Sequence, residues 1–170
     1  MATLEDRIQK LEDRADIQDL VARYFKVTDD DDEAALADCF TREARFIATG
    51  FDGGTGREGV MAFLKAARST MHQTVHTPNY VHIAFTGADS ADGTVMAHLE
   101  MGIGGTTIYA AVRYLDSYAR EDGKWRISSR EMRAVHLGSW DLVASSMTDP
   151  NNVRWPGAEP ALSDFPRKGN

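Results

Sequence analysis

Apolar residues at Leu4, Ile8, Leu11, Ala15, Ile17, Leu20, Val21, Tyr24 and Phe25 recur at spacings of mostly three and four, which predicts an amphipathic helix over residues 4 to about 27. Asp13 and Asp16 fall inside it as candidate points of interruption or recapping. The acidic run Asp29, Asp30, Asp31, Asp32 predicts a break and then a second helix over 33–40, because carboxylates stabilise the positive end of a helix. Residues 44–49 have strand character. Gly50, Gly53, Gly54 and Gly56 mark a loop, and Val60, Phe63, Leu64 and Ala67 give residues 57–68 helical spacing.

Beyond that point the pattern changes. Residues 74–85, 94–103, 106–120 and 124–136 are rich in β-branched and aromatic side chains of alternating polarity. Turn signals at Gly87, Asp92-Gly93, Gly104-Gly105 and Asp122-Gly123 separate or interrupt them. Four successive strands joined by tight turns predict an antiparallel meander. Pro150, Pro156, Pro160 and Pro166 predict an extended tail from about residue 148, either frayed or draped on a neighbouring surface. Helices first and a long antiparallel sheet afterwards is an α+β pattern, in which a curved sheet can enclose an apolar cavity beneath the helices. The expected organisation is one domain over 1–147 with a proline-rich tail over 148–170.

Charge and cysteine content narrow the function classes. The 170 residues carry a formal net charge of −7 and a sequence pI near 5.2, which argues against nucleic acid or an acidic membrane as partner. The single cysteine, Cys39, cannot form an internal disulfide, and no apolar run approaches the ~20 residues of a membrane span. A cytoplasmic protein is the expectation. Nucleotide-loop, zincin and serine-hydrolase motifs are all missing, which leaves acid–base chemistry.

The densest chemical segment is Met71 to Asn79, MHQTVHTPN, with His72 and His76 four apart. That spacing puts both on one face of a helix or a strand, so a metal pair and two partly exposed strand histidines are both consistent with it. No third ligand lies nearby, and no metal is assigned. His82, His98 and His136 alternate against apolar neighbours and read as outward-facing. Trp125 and Trp140 read as packing residues. Alternation directs Val95, Ala97, Leu99, Met101, Val112, Tyr114 and Met132 inward, and with Phe25, Phe46 and Phe63 they would line an apolar site.

Four segments carry a resemblance: Ile17 to Phe25 (IQDLVARYF), Asp29 seven residues before Leu36, Met71 to Pro78, and Tyr118 to Trp125 (YAREDGKW). Up to about Trp140 the chain resembles the SnoaL-like branch of the nuclear transport factor 2 superfold. That resemblance implies a cone-shaped α+β barrel, with N-terminal helices packed in a strongly curved, mostly antiparallel sheet. Locally the chain is most similar to bile-acid 7α-dehydratase and hexachlorocyclohexane dehydrochlorinase, and it is also similar to scytalone dehydratase. The resemblance places an Asp–His dyad on Asp29 and His76 and an active-site tyrosine on Tyr24. An additional acidic position of the bile-acid enzyme falls on Met101 and its arginine on Ala134, with Arg133 next door. A second histidine of scytalone dehydratase falls in the Gly102 to Gly105 turn, where there is none.

The resemblance therefore implies a cofactor-independent lyase of dehydratase type, with His76 as base, Asp29 orienting it and Tyr24 donating to the substrate. Expected substrate contacts are Phe25, Phe46, Phe63, His72, Leu99, Met101, Val112, Tyr114 and Met132, around a small hydrophobic steroid, terpenoid or polyketide-like molecule. A polyketide cyclase or double-bond isomerase using the same base, and a non-catalytic binder of apolar ligands, remain open alternatives. The resemblance also implies a homo-oligomer, with a trimer favoured over a dimer.

Overall fold

Thr3 opens the first helix, α1 (Leu4–Asp29), with a capping box: its hydroxyl accepts from the Asp6 amide, and the Asp6 carboxylate accepts from the Thr3 amide. In the computed structural model, which describes residues 3–49 and 51–165, this helix runs unbroken through Asp13 and Asp16. Asp13 is buried and satisfied, accepting from Gln9, Arg120 and the Trp125 indole. Ile17, Leu20, Val21, Tyr24 and Phe25 enter the core. Leu4, Ile8 and Leu11, read from periodicity as part of the same apolar face, are instead 68%, 47% and 68% exposed.

Asp31 takes the left-handed conformation (φ 58°) and Asp32 caps α2 (Glu33–Asp38) by accepting from the Ala35 amide. This helix ends two residues earlier than its sequence predicts, because Phe40 already pairs with Ile127 in the sheet. The first strand, β1, spans Phe40–Ala48, and the glycine-rich stretch read as a loop is a strand, β2 (Phe51–Thr55), antiparallel to β1. Its Gly53 lies so close to Phe46 that a Cβ there would sit 2.5 Å from the ring. Close packing, rather than a turn, explains that glycine.

Helix α3 (Gly56–Arg68) follows, and then β3 (Met71–Phe85), β4 (Ser90–Ile103), β5 (Thr106–Glu121) and β6 (Lys124–Ser139) form the expected meander. Gly104-Gly105 and Asp122-Gly123 hold positive φ at both central positions, the geometry of tight hairpins whose twist matches the strands. The strand order is β2-β1-β6-β5-β4-β3, with β1 parallel to β6 and every other pair antiparallel. Helix α1 packs on β3 and β6, and α3 on β1 and β2. The core lies between helices and sheet.

After a 3₁₀ turn (Trp140–Ser145) the chain turns back on the sheet. Where β1 stops pairing with β6 at Met132, the tail takes over: the Ala134 amide donates to Asp164, and Val153 bridges both Leu137 and Ala161. Among the described residues, the tail through Phe165 is therefore laid on its own sheet; Pro166 lies outside them. Trp140, expected to pack, is 59% exposed and meets Tyr109 edge-on. His82 is exposed and His98 half-buried, while His136 is buried beside Tyr109. No helix among the described residues is long and apolar enough to cross a membrane.

Candidate active site

A cavity of about 470 Å³ opens between the helices and the sheet. Tyr24 and Thr28 of α1, Phe63 and Leu64 of α3, and Phe46 of β1 form one side. Leu99 and Met101 of β4, Val112 and Tyr114 of β5, and Met132 of β6 form the other. The tail segment from Trp155 to Ala158 closes part of the rim, with Trp155 edge-on to Phe51. The volume lies within the ordinary range for small-molecule sites.

Asp29 and His76 meet at the wall of this cavity. Asp29 is the last residue of α1, and the strand pairing of β3 with β4 holds His76 opposite Leu99. The His76 ring Nδ1 lies 2.6 Å from Asp29 Oδ1, and the His76 main-chain amide donates to Oδ2 at 2.8 Å. The Thr74 hydroxyl donates to Oδ1 at 2.8 Å. Burial pushes the Asp29 pKa up, but the bonds from His76 and Thr74 outweigh it and hold the carboxyl below its usual range. An ionised Asp29 can only accept, so the proton between the two groups resides on Nδ1, and in the neutral imidazole this tautomer leaves the lone pair on Nε2. Phe25 stacks on the imidazole with ring centroids 5.2 Å apart.

The floor is polar beneath an apolar surface. Arg130 and Asp116 form a fully buried pair, Nε to Oδ1 at 2.8 Å and Nη2 to Oδ2 at 2.6 Å, and the Tyr118 hydroxyl donates to Asp116 at 2.7 Å. The Arg130 guanidinium lies 4.1 Å from the Tyr24 ring centre and 4.6 Å from that of Tyr114, so both rings stack on a cation. Burial raises the pKa of both tyrosines, which keeps their hydroxyls protonated and able to donate. At the mouth, Arg68 pairs with the exposed Asp31 and donates to the Thr74 hydroxyl at 3.4 Å. Since Thr74 has one hydroxyl proton, accepting from Arg68 leaves that proton for Asp29.

Most of the predicted lining is present: Tyr24, Phe46, Phe63, Leu99, Met101, Val112, Tyr114 and Met132 all border the cavity with His76. Four residues expected in the lining do not border the cavity. Val95 and Ala97 are buried in the core away from the cavity lining, and Phe25 packs against the dyad without reaching the cavity wall. His72 is exposed, because a bulge sets two residues of β3, His72 and Gln73, against one of β4, Gly102, and turns Met71, not His72, toward the cavity. Thr74, Arg68, Asp116 and Arg130 carry no signal in the sequence that points to this site. Among the described residues no cluster of His, Cys, Asp or Glu could hold a metal ion.

Residues 9–131 match the family model for the SnoaL-like domain, which covers most of the chain. The chain belongs to the SnoaL-like family. Hexachlorocyclohexane dehydrochlorinase 1 of Sphingobium indicum is 28% identical over 124 residues, 71% of this chain and 80% of the relative. The γ-hexachlorocyclohexane dehydrochlorinase of Sphingobium indicum is 28% identical over 126 residues, 72% of this chain and 81% of the relative. A crystal structure of LinA superposes with a TM-score of 0.74 at 25% identity, covering 78% of this chain and 92% of that one. A scytalone dehydratase candidate from Novosphingobium aromaticivorans superposes with a TM-score of 0.72 at 19% identity, covering 79% and 91%, a likeness of fold alone. These neighbours share with this SnoaL-like chain the cone of helices packed in a curved sheet that the resemblance implied.

Proposed function

We propose that this SnoaL-like protein is a cofactor-independent lyase that eliminates water or another small leaving group from a hydrophobic substrate. The observation that carries the reading is the Asp29–His76 hydrogen bond, 2.6 Å long, set at the wall of a predominantly apolar cavity. Dehydrochlorinases among the relatives support a lyase over other uses of the fold.

The residues present suffice for a balanced step. Nε2 of His76 takes a proton from a carbon acidified by a neighbouring group. The C–H electron pair becomes the new π bond, and the leaving group departs with its own bonding pair. A chloride leaves as the anion; a hydroxide collects a proton from the imidazolium and leaves as water. Tyr24 and Tyr114, kept protonated by burial, donate hydrogen bonds to the oxygen on which charge builds. Asp29 holds the ring in the productive tautomer and stabilises the imidazolium that forms.

Steroids, terpenoids, polyketide phenols and chlorinated hydrocarbons fit the apolar wall. Compounds of these classes that raise the melting temperature would be incubated with the protein and followed by mass spectrometry. A product lighter by water or HCl is the expected result. Ligands that bind tightly and are recovered unchanged would replace the lyase reading with that of a binding protein.

A further inference from the structure

One face of α1 has no partner among the described residues. Every residue from Thr3 to Glu12 is exposed, and Lys10 reaches back to the body with its ammonium 5.4 Å from the Phe85 ring centre, on a different side of the helix from Leu4, Ile8 and Leu11. At about 100° per residue, Ile17, Leu20, Val21 and Tyr24 point one way, into the core, whereas Leu4, Ile8, Leu11 and Ala15 share the opposite side. Leu4, Ile8 and Leu11 are 68%, 47% and 68% exposed. Exposed Ala15 and Ala22 continue the stripe at the same side of the helix.

The spacing is heptad spacing. With Leu4 and Leu11 at d, Ile8, Ala15 and Ala22 fall at a, a β-branched residue at a with leucines at d being the preference of two-stranded parallel pairs. The flanks are sorted by charge. Arg7 and Arg14 occupy the g edge, and Glu5, Glu12 and Asp19 the e edge. In a parallel pair each g residue meets the e residue of the next heptad on the partner, so Arg7 faces Glu12 twice. An antiparallel pair would set arginine against arginine and glutamate against glutamate. The Arg14 guanidinium is already engaged by the Ile83 carbonyl and the Phe85 ring, which leaves Arg7 as the cation of that edge available to a partner.

We infer that the outer face of α1 is an interaction surface whose partner is the α1 of a second copy of this chain, joined in parallel through Leu4, Ile8 and Leu11. The core of each copy lies on the far side of its helix, so the two bodies sit outside the pair. The helix is already formed and capped before association, which removes the nucleation cost that makes isolated two-heptad helices unstable. Three large side chains per copy make a small interface, and small interfaces are weak and concentration-dependent. This surface is separate from the cavity and from the sheet, and does not depend on the lyase reading.

Analytical ultracentrifugation of the full chain from about 5 to about 500 μM tests it. Wild type is expected to double the mass of its smallest species across this range. Ile8→Lys combined with Leu11→Lys should hold the lower mass throughout with an unchanged melting temperature, since neither side chain is buried. Arg7→Glu and Glu12→Arg should each weaken association by about tenfold, and an equimolar mixture of the two should restore it. Equal masses for wild type and the double-lysine variant at every concentration would overturn the inference. So would failure of the mixed charge variants to recover association, because that outcome removes the parallel register.

Discussion

Replacing Asp29 with Asn keeps the shape of the side chain while removing its charge, so its consequences can be worked from three hydrogen bonds. Asp29 accepts from the Thr74 hydroxyl and the His76 amide at 2.8 Å and from the His76 ring at 2.6 Å. Hydrogen bonds to a charged group contribute about 1.5–3 kcal/mol and neutral ones about 0.5–1.5. Asn retains one acceptor oxygen and presents an N–H₂ where the other accepted. A net loss of about 2 kcal/mol follows, and for a chain of this length a melting temperature lower by about 4–8 °C. The Asn amide can donate to Nδ1, which moves the ring proton to Nε2, the atom that must accept from substrate. Turnover should fall on the order of 10²–10⁴-fold, which is about 2.7–5.4 kcal/mol in barrier.

Two assays separate these effects. Long-range ¹H–¹⁵N NMR of the imidazole should show the Nδ1–H tautomer in wild type and Nε2–H in Asp29→Asn, with no substrate needed. Calorimetry against pH gives the second. Because the carboxyl of Asp29 is held below the ordinary 3.8, its stabilisation is present above that value and disappears as pH falls through the still lower folded value. The advantage of wild type over the Asp29→Asn variant should therefore shrink below about pH 4. An unchanged ring tautomer together with an unchanged melting temperature would refute the reasoning.

Other parts of the structure make further predictions. Arg130→Gln strands the buried Asp116 carboxylate and should destabilise the fold by about 3–5 kcal/mol, whereas the double change Arg130→Met with Asp116→Leu should recover much of that loss; equal melting temperatures for both variants would contradict it. His136 is held below the ordinary 6.5 by burial and, secondarily, by His98, so the folded state resists its protonation. Its contribution is complete above about pH 6.5 and declines as pH falls toward the depressed folded value, and His136→Gln should flatten that limb of a stability–pH curve. Ending the chain at Met147 removes the rim segment from Trp155 to Ala158 and the Asp164 cap on the Ala134 amide. Cavity ligands should then bind at least about tenfold more weakly, and unchanged affinity would show that the tail does not close the site.

The parts of this fold legible in the sequence are those set by local chemistry. Periodicity located α1 and α3, and the Gly104-Gly105 and Asp122-Gly123 turns fixed the hairpins that place β4, β5 and β6 side by side. What escaped depends on contacts distant in sequence. β2 was hidden because Asp52, Gly53 and Gly54 disfavour a strand locally, and the segment is held as one by pairing with β1. His72 and His76 share parity, and only the bulge against β4 separates them. Residues Leu4, Ile8 and Leu11 have the spacing of a core face, yet that spacing does not say which of two faces meets the body. Asp116 and Arg130 escaped for the same kind of reason: counting outward from the Asp122-Gly123 turn sets Asp116 opposite Ser129, and only the bulge between Ser117 and Tyr118 shifts the register by one and brings Arg130 opposite it. The dyad itself came from the family resemblance rather than from spacing, which left His76 no better than His72.

The proposal that His76 is the base is tested most directly by comparing kcat/KM of wild type and His76→Ala on the first compound found to lose water or halide. The substitution leaves Asp29 with the Thr74 hydroxyl and the residue 76 amide, so the fold should persist, and a melting curve would verify it. A loss of at least about 10²-fold with the fold intact is expected. Turnover within a few-fold of wild type would contradict it.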